Sequence, residues 1–416
     1  MNIRISPSGI SGTIEAPASK SLTQRAIAAG LLAEGSTVIL NPAYCNDSLA
    51  AVAMAGELGA SVHSEPDRII IESRRKPTGA VTLNCSESGL ALRMFAPISA
   101  IITESVKLEG QGSLMRRPVA MIGQALSQLG VTVEATDGRL PLKLTGRLRP
   151  GRAFVDGSAG SQLLTGLLMA LPLADGESRI DVAGLTSKPY IRLTLSLLAE
   201  FGITVENDSF RTFIIPGNQS YRAHEYTVEG DWSSAAFLLV AGAMAGRVTV
   251  NGLNLHSVQA DRAILTVLND AGAALFAAPD AVTSSLSGLH SFTFDATDSP
   301  DLFPPLAALA AGCEGTSSIR GVSRLRHKES DRAVAIADVL EAMKIRVKIS
   351  GDEMLITGGR VQGAVVSSHN DHRIAMMASV MAASATAPVT VAGAEAVAKS
   401  YPGFYNDMGR LGAVIF

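Results

Sequence analysis

The sequence predicts an α/β fold, or α+β with each repeat a compact layer, built by repetition and divided into two domains. Three observations lead there. Segments that end alike recur along the chain: Glu57–Val62 (ELGASV), Gln128–Val133 (QLGVTV), Glu200–Val205 (EFGITV), Asp270–Leu275 (DAGAAL) and Arg410–Ile415 (RLGAVI). Their glycines, Gly59, Gly130, Gly202, Gly272 and Gly412, follow one another at 71, 72, 70 and 140 residues. The last gap is two periods, and the missing copy is AMKIRV with Lys344 in the glycine's place, so the chain holds six repeats of about 70 residues. Within the repeats, helical and strand periodicities alternate. Composition agrees: 47% of the 416 residues are hydrophobic and 18% charged, enough apolar surface for sizeable cores and too little charge for a disordered chain.

The elements follow in order. Asn2–Glu15, where Ile3 and Ile5 alternate with polar residues, reads as a strand. It has no counterpart before the later repeats, so it is expected to pair with the C-terminal part and complete the sixth. In the first repeat Ser19–Ala33 reads as helix, Ser36–Leu40 as strand, Asp47–Leu58 as helix and Ser61–His63 as strand. The third repeats the order at Ser161–Leu171, Ser178–Val182, Tyr190–Phe201 and Thr204–Glu206. Near His224–Gly230, YRAHEYTVEGD interrupts the apolar periodicity. Domains are therefore expected at 17–227 and at 1–16 plus 228–416, with the chain crossing twice between them and a cleft where they meet. Ile374–Ala394 is uncharged and long enough to span a bilayer. It carries Ser379, Ser384, Thr386, Pro388 and Thr390 and changes from helical to strand-like composition midway, which makes it a buried helix followed by a strand.

A net charge of −3 gives no overall reason to expect nucleic acid or an acidic membrane as partner, so any anion site must be local. Aromatic residues are only 5%, with the single Trp232, and no basic surface is interleaved with rings for stacking bases. Cys45, Cys85 and Cys313 are odd in number, far apart and without a CxxC pair, which suits a reducing cytoplasm and gives no metal-ligand spacing. The opening residues lack the charged-then-apolar order of an export signal.

Helices of the repeats start at Ser19–Lys20, Ser88–Gly89, Ser161, Ser233, Asp301 and Asp371–Arg373. Helix N-termini carry unpaired N–H groups and about half a positive charge, so several converging ends make an anion site. Basic residues gather at those starts (Lys20, Arg25, Arg93, Arg373) and in the loops before second helices (Arg116, Arg117, Lys188, Arg324, Arg326, Lys328, Arg332, Lys399). Each has an ordinary reading too. SKS is an N-cap, NDHR is Asp371 capping its helix, SGLALR is a helix entry and SPD a turn. RLRHKESDR alone would read as a solvated loop with a local Glu329–Arg332 pair, and His327 and His372 as surface or structural histidines. Recurrence at one structural position in successive repeats is what favours a site.

Eight segments in order resemble 3-phosphoshikimate 1-carboxyvinyltransferase, the EPSP synthase family: ASKSLTQRA (Ala18–Ala26), SESGLALR (Ser86–Arg93), LMRRP (Leu114–Pro118), DGSAGSQ (Asp156–Gln162), SKPY (Ser187–Tyr190), VEGDWSSA (Val228–Ala235), RLRHKESDR (Arg324–Arg332) and NDHRIAM (Asn370–Met376). The resemblance runs essentially end to end. It implies two domains, each of three βαβαββ units in an inside-out α/β barrel, the enolpyruvyl transferase fold. It further implies transfer of the enolpyruvyl group of phosphoenolpyruvate to the 5-hydroxyl of shikimate 3-phosphate on the way to chorismate, by a cytoplasmic monomer that needs no metal and no organic cofactor.

By the same resemblance, Lys20, Ser21, Arg25, Ser161, Gln162, Ser187, Asp301 and Lys328 contact shikimate 3-phosphate. Phosphoenolpyruvate is expected at Lys20, Gly89, Arg117, Gln162, Arg332, Arg373 and Lys399. Asp301 is expected to take the hydroxyl proton, with Glu329 and Lys20 sharing the proton at the methylene carbon. Four positions depart from the common pattern: Gly160 replaces a serine of the phosphate loop, Arg324 replaces an asparagine found in some members, and Leu90 and Met94 replace the threonine and proline of many. Two readings compete. A UDP-N-acetylglucosamine enolpyruvyltransferase would carry a loop cysteine that GSLMRRP lacks and a Lys-Asn entry where this chain has SKS. A non-catalytic anion-binding scaffold would gain nothing from Asp301 and Glu329.

Overall fold

The computed structural model describes residues 1–73 and 79–416. Chain contacts divide into two compact bodies, Ala18–Val228 and Met1–Pro17 with Glu229–Phe416, called here the N-terminal and C-terminal halves.

Every repeat supplies two α-helices. In the N-terminal half these are α1 (Lys20–Leu32) and α2 (Asn46–Glu57), α3 (Gly89–Ile102) and α4 (Ala120–Ser127), α5 (Gln162–Ala170) and α6 (Lys188–Glu200). The C-terminal half has α7 (Trp232–Ala245) and α8 (Ile264–Asp270), α9 (Phe303–Ala311) and α10 (Arg332–Ala342), α11 (His372–Ala383) and α12 (Phe404–Arg410). Six small sheets share one strand order among the described residues. In the third repeat, Arg152–Asp156 runs parallel to Ser178–Ala183, which pairs antiparallel with Thr212–Ile215, and Glu206–Asp208 forms the far edge.

The first helix of each repeat is buried nearly all round, and all twelve residues of α11 are buried. Such a helix is buried on every face because it packs against neighbouring first helices as well as against strands. Thus α1, α3 and α5 form the centre of one core, and α7, α9 and α11 the centre of the other. Small residues set how closely they cross. A Cβ on Gly166 of α5 would lie 2.5 Å from the Met94 carbonyl oxygen and 2.6 Å from Pro97 Cγ of α3, so only glycine permits this approach.

The recurring glycines end the second helices. Gly59, Gly130, Gly202, Gly272 and Gly412 take φ of 99°, 86°, 79°, 80° and 102°, the left-handed region that turns the chain from helix into strand. Lys344 takes φ 64° at the same point in the fifth repeat. The backbone turn is kept there although the residue is not glycine.

The opening segment differs from the expected single strand. It is two strands, Asn2–Ser6 and Ile10–Glu15, separated at Pro7, which has no N–H to give a ladder. The first pairs antiparallel with Val389–Ala392 and Val414–Ile415 in the sixth repeat, as expected, while the second pairs in parallel with Gly246–Asn251 in the fourth. Correspondingly, Tyr221–Arg222 and Glu225–Thr227, at the end of the N-terminal half, pair with Ala33–Leu40 in its first repeat. Each half is thereby closed by a strand borrowed from the opposite end of its own set of repeats. Asp301 does not open a helix directly. It lies in the 3₁₀ turn Pro300–Leu302, and α9 begins at Phe303, with Pro304 and Pro305 in its first turn, where missing N–H groups cost nothing. Ile374–Ala394 is divided between α11 and the strand Val389–Ala392. No described helix is long and apolar enough to cross a membrane.

Candidate active site

In the N-terminal half, three helix N-termini come together. Ser19 caps α1 by accepting the Leu22 N–H at 3.4 Å, and Ser88 caps α3 by accepting that of Ala91 at 3.2 Å. The Ser88 hydroxyl reaches Gln24 Oε1 of α1 at 3.5 Å. Arg93 of α3 donates to Gln162 Oε1 of α5 at 3.2 Å, to the Gly89 carbonyl at 3.2 Å and to the Pro118 carbonyl at 3.3 Å. Gly89 is small for a reason visible in its surroundings: a Cβ there would lie 2.3 Å from Arg117 Nη1 and 2.9 Å from Arg93 Nη1. Two guanidiniums therefore stand beside the first N–H groups of α3, the donor set for a carboxylate or phosphate.

Lys20, the first residue of α1, holds its Nζ 2.9 Å from Asp47 Oδ2. Arg25 lies one turn further in and is buried. Its Nε donates to Thr194 Oγ1 at 3.0 Å, its Nη1 to the Ser21 carbonyl at 2.9 Å and to the Ser21 hydroxyl, and its Nη2 to Thr165 Oγ1 at 3.5 Å. Burial lowers this guanidinium to about 10, against the pull of Tyr190 and Tyr226, and leaves it charged at neutral pH. Arg25 thus fixes Ser21 against α5 and α6. Ser161 stands at the N-cap of α5, and Ser187, at that of α6, takes φ 60°, a left-handed conformation unusual for serine. Gly160, just before Ser161, takes φ 127°, a conformation that a serine would adopt only with strain.

In the C-terminal half, Arg332 is the centre. Its side chain is 1% exposed and meets three carboxylates: Asp301 Oδ1 at 2.9 Å, Glu329 Oε2 at 2.6 Å and Asp371 Oδ2 at 3.0 Å. RLRHKESDR is therefore no solvated loop at this residue, although the local Glu329–Arg332 pair exists. Arg373 Nη2 takes the other oxygen of Asp301 at 3.0 Å, and Lys328 Nζ lies 3.8 Å from Asp301 Oδ1. Asp371 also caps α11 through the Arg373 N–H at 2.9 Å and accepts from Ser330 Oγ at 3.1 Å, so one carboxylate holds the Arg332 guanidinium and the backbone at Arg373. Lys399 Nζ donates to the Asn370 carbonyl at 2.7 Å. His369 and Asn370, with φ of 51° and 56°, form the tight turn into that cap. His327 is exposed and His372 buried.

The charges settle the protonation states. Burial alone would raise the Asp301 carboxyl, but Arg373, Lys328 and Arg332 outweigh it and hold it well below the usual carboxylate range. Burial lowers Lys328 to about 8, with Asp301 opposing and Arg332 and Arg324 adding to the fall, so the departure at Arg324 acts on a predicted substrate contact. Burial would also lower Arg332, yet Asp371, Glu329 and Asp301 lift it above its ordinary value. Asp261, buried in the turn Ala260–Ala263, accepts from the Ser233 hydroxyl, and burial with the nearby Asp301 charge pushes it up to about 7.

The predicted residues thus fall in two groups. Lys20, Ser21, Arg25, Gly89, Arg117, Ser161, Gln162 and Ser187 lie in the N-terminal half, and Asp301, Lys328, Glu329, Arg332, Arg373 and Lys399 in the C-terminal half. Sequence reasoning missed Asp47 and Asp261, and assigned Asp371 only its capping role. No local pattern marks these carboxylates, because each finds its cation far along the chain, as Asp371 does with Arg332 across 39 residues.

Comparison with known proteins bears on both groups. The family model described as EPSP synthase (3-phosphoshikimate 1-carboxyvinyltransferase) matches residues 5–408. A protein of that name from Clostridium novyi is 36% identical over 426 aligned residues, covering 100% of this chain and 98% of its own. One from Methanocorpusculum labreanum is 37% identical, covering 99% of both. Among solved structures, EPSP synthase from Acinetobacter baumannii superposes with a TM-score of 0.84 at 26% identity, over 100% of this chain and 99% of that one. The enolpyruvyl transferase NikO from Streptomyces tendae, at 18% identity and a TM-score of 0.78, shares the fold. Kinship that takes in both halves, and with them every residue of both charged groups, means that the chain belongs to the EPSP synthase (3-phosphoshikimate 1-carboxyvinyltransferase) family.

Proposed function

We propose that this chain transfers the enolpyruvyl group of phosphoenolpyruvate to the 5-hydroxyl of shikimate 3-phosphate and releases phosphate, serving chorismate and aromatic amino-acid synthesis. The observation that carries the proposal is the Asp301 cluster: an ionised carboxylate held by Arg332, Arg373 and Lys328. An anion-binding scaffold has no use for that carboxylate. A proton-transfer enzyme needs one.

The two charged groups act on one pair of substrates, each substrate an anion. Arg117 and the α3 N-terminus, with Arg332, Arg373 and Lys399, take the carboxylate and phosphate of phosphoenolpyruvate. Ser21, Ser161, Gln162, Ser187 and Lys328 hold shikimate 3-phosphate, with Arg25 bracing Ser21. Arriving phosphoenolpyruvate competes with Asp301 for Arg332 and Arg373. Each guanidinium that turns to the substrate leaves Asp301 a stronger base, so basicity appears only once the substrate is in place.

In the addition step the methylene carbon gains a proton from Lys20 or Glu329. The 5-hydroxyl oxygen bonds to the central carbon, and Asp301 takes the hydroxyl proton. In the elimination step the carbon–oxygen bond to phosphate breaks, and the new methyl group returns a proton, restoring the double bond in the product. Holding both anions in attack geometry supplies much of the rate. A monomer in the cytoplasm accords with this chemistry.

Phosphate release from phosphoenolpyruvate, run with shikimate 3-phosphate and in parallel with UDP-N-acetylglucosamine, tests the proposal. Release with shikimate 3-phosphate alone is expected. Release with the nucleotide sugar alone would overturn the acceptor, and none with either would leave the scaffold reading.

A further inference from the structure

We propose that Asp47 is the positioning residue for Lys20, holding its ammonium charged and aimed at the substrates; this rests on the role proposed above for Lys20. The first residue of a helix is an unfavourable place for a cation, since the N-terminal end of the macrodipole is positive. Lys20 occupies that place on α1 and is only 16% exposed, so water does little to relieve it. Asp47 supplies what the helix end denies. Its side chain is 12% exposed, its Oδ2 is 2.9 Å from Lys20 Nζ, and it lies in the first turn of α2, where a carboxylate complements the dipole.

The chain between the two residues is fastened so that this contact is built in. The Thr23 hydroxyl donates to the Ser19 carbonyl at 2.9 Å and accepts the Ala43 N–H at 2.9 Å, tying the approach to α2 against the first turn of α1. The Cys45 thiol lies 3.4 Å from the Ser48 hydroxyl within the first turn of α2. Cys45 is also in electrostatic contact with the pair, and burial pushes its thiol up, so it stays neutral. A carboxylate beside an anion-binding group would repel substrate unless it served a cation. The pair is neutral as a whole, so Asp47 offsets the Lys20 charge without adding net negative charge beside the substrates.

Two variants and one spectroscopic measurement test this. D47N keeps the shape and removes the charge, while D47E restores the charge on a longer arm. Expected is a loss of about 10–100-fold in kcat/KM for D47N, with most of it recovered in D47E and melting temperatures close to wild type. In protein whose lysines carry ¹³C-methyl groups, the Lys20 resonance, assigned by its absence from K20R, should titrate at lower pH in D47N than in wild type by about one pH unit. Equal Lys20 titration in wild type and D47N would overturn the proposal. So would equal activity losses in D47N and D47E that follow their melting temperatures. The titration needs no turnover: a wild-type protein that transfers nothing while its Lys20 still shifts in D47N would refute the transfer reaction and leave the Asp47 assignment standing.

Discussion

Replacing Asp301 with asparagine removes one negative charge and keeps the side chain's outline, and the surrounding distances determine the outcome. Arg332 and Arg373 take its two oxygens at 2.9 and 3.0 Å, with Lys328 at 3.8 Å. The amide retains one acceptor oxygen but turns an NH₂ toward the other guanidinium, so one charge-assisted hydrogen bond is lost, roughly 1.5–3 kcal/mol of local interaction. Because Asp301 is 24% exposed and Arg332 keeps Glu329 and Asp371, the stability loss should fall at the low end, about 1.5 kcal/mol. The loss in turnover should be larger. Removing a positioned base costs about 10²–10⁴-fold, which is roughly 2.7–5.4 kcal/mol in the barrier. The two guanidiniums, relieved of their counter-ion, remain available to phosphoenolpyruvate, so its KM should hold or fall. Steady-state phosphate release and urea denaturation, run on D301N and wild type together, separate the two effects. A kcat within about fivefold of wild type would refute Asp301 as proton acceptor. A raised KM with kcat unchanged would reassign it to binding.

Further outcomes follow from other parts of the site and fold. Lys328, lowered to about 8 chiefly by burial, loses its proton as pH rises through that value, so kcat/KM should fall on the alkaline side near pH 8. K328R, which stays charged, should move that fall to higher pH. Gly89→Ala puts a methyl group 2.3 Å from Arg117 Nη1 and should raise the KM for phosphoenolpyruvate by about tenfold with little change in melting temperature, as read by steady-state kinetics and calorimetry. Gly412→Ala forces φ of 102° on a residue with a Cβ, which would also lie 2.9 Å from the Gly9 carbonyl oxygen, and should cost at least about 1–2 kcal/mol in urea denaturation while leaving turnover intact.

The repeats were legible because five of the six carry a glycine at the one backbone position that needs a left-handed turn, and because each first helix is rich in apolar residues. Caps were legible for the same local reason: Ser19, Ser88 and Asp371 accept the N–H groups that their positions foretell. The break at Pro7 was written in the sequence too, but alternation on either side of it reads as one strand, and only pairing shows that the two pieces enter different sheets. The charged residues were found from their repeat positions and motifs; apart from the local Glu329–Arg332 pair, their partners were not. Asp47 with Lys20 and Asp301 with Arg332 are joined across 27 and 31 residues by the packing of helices, which no local spacing encodes. Arg25 shows the same limit, since its partners Thr194 and Thr165 lie 169 and 140 residues away along the chain.

Turnover in deuterium oxide tests the central claim most directly. If the methylene carbon of phosphoenolpyruvate becomes a methyl group during addition and gives back a proton during elimination, product formed from shikimate 3-phosphate must carry deuterium at its vinyl carbon. The proton spectrum of that product should show the vinyl signals diminished as phosphate is released. Phosphate release with both vinyl protons fully retained would contradict addition and elimination, and the absence of any vinyl product would contradict the transfer itself.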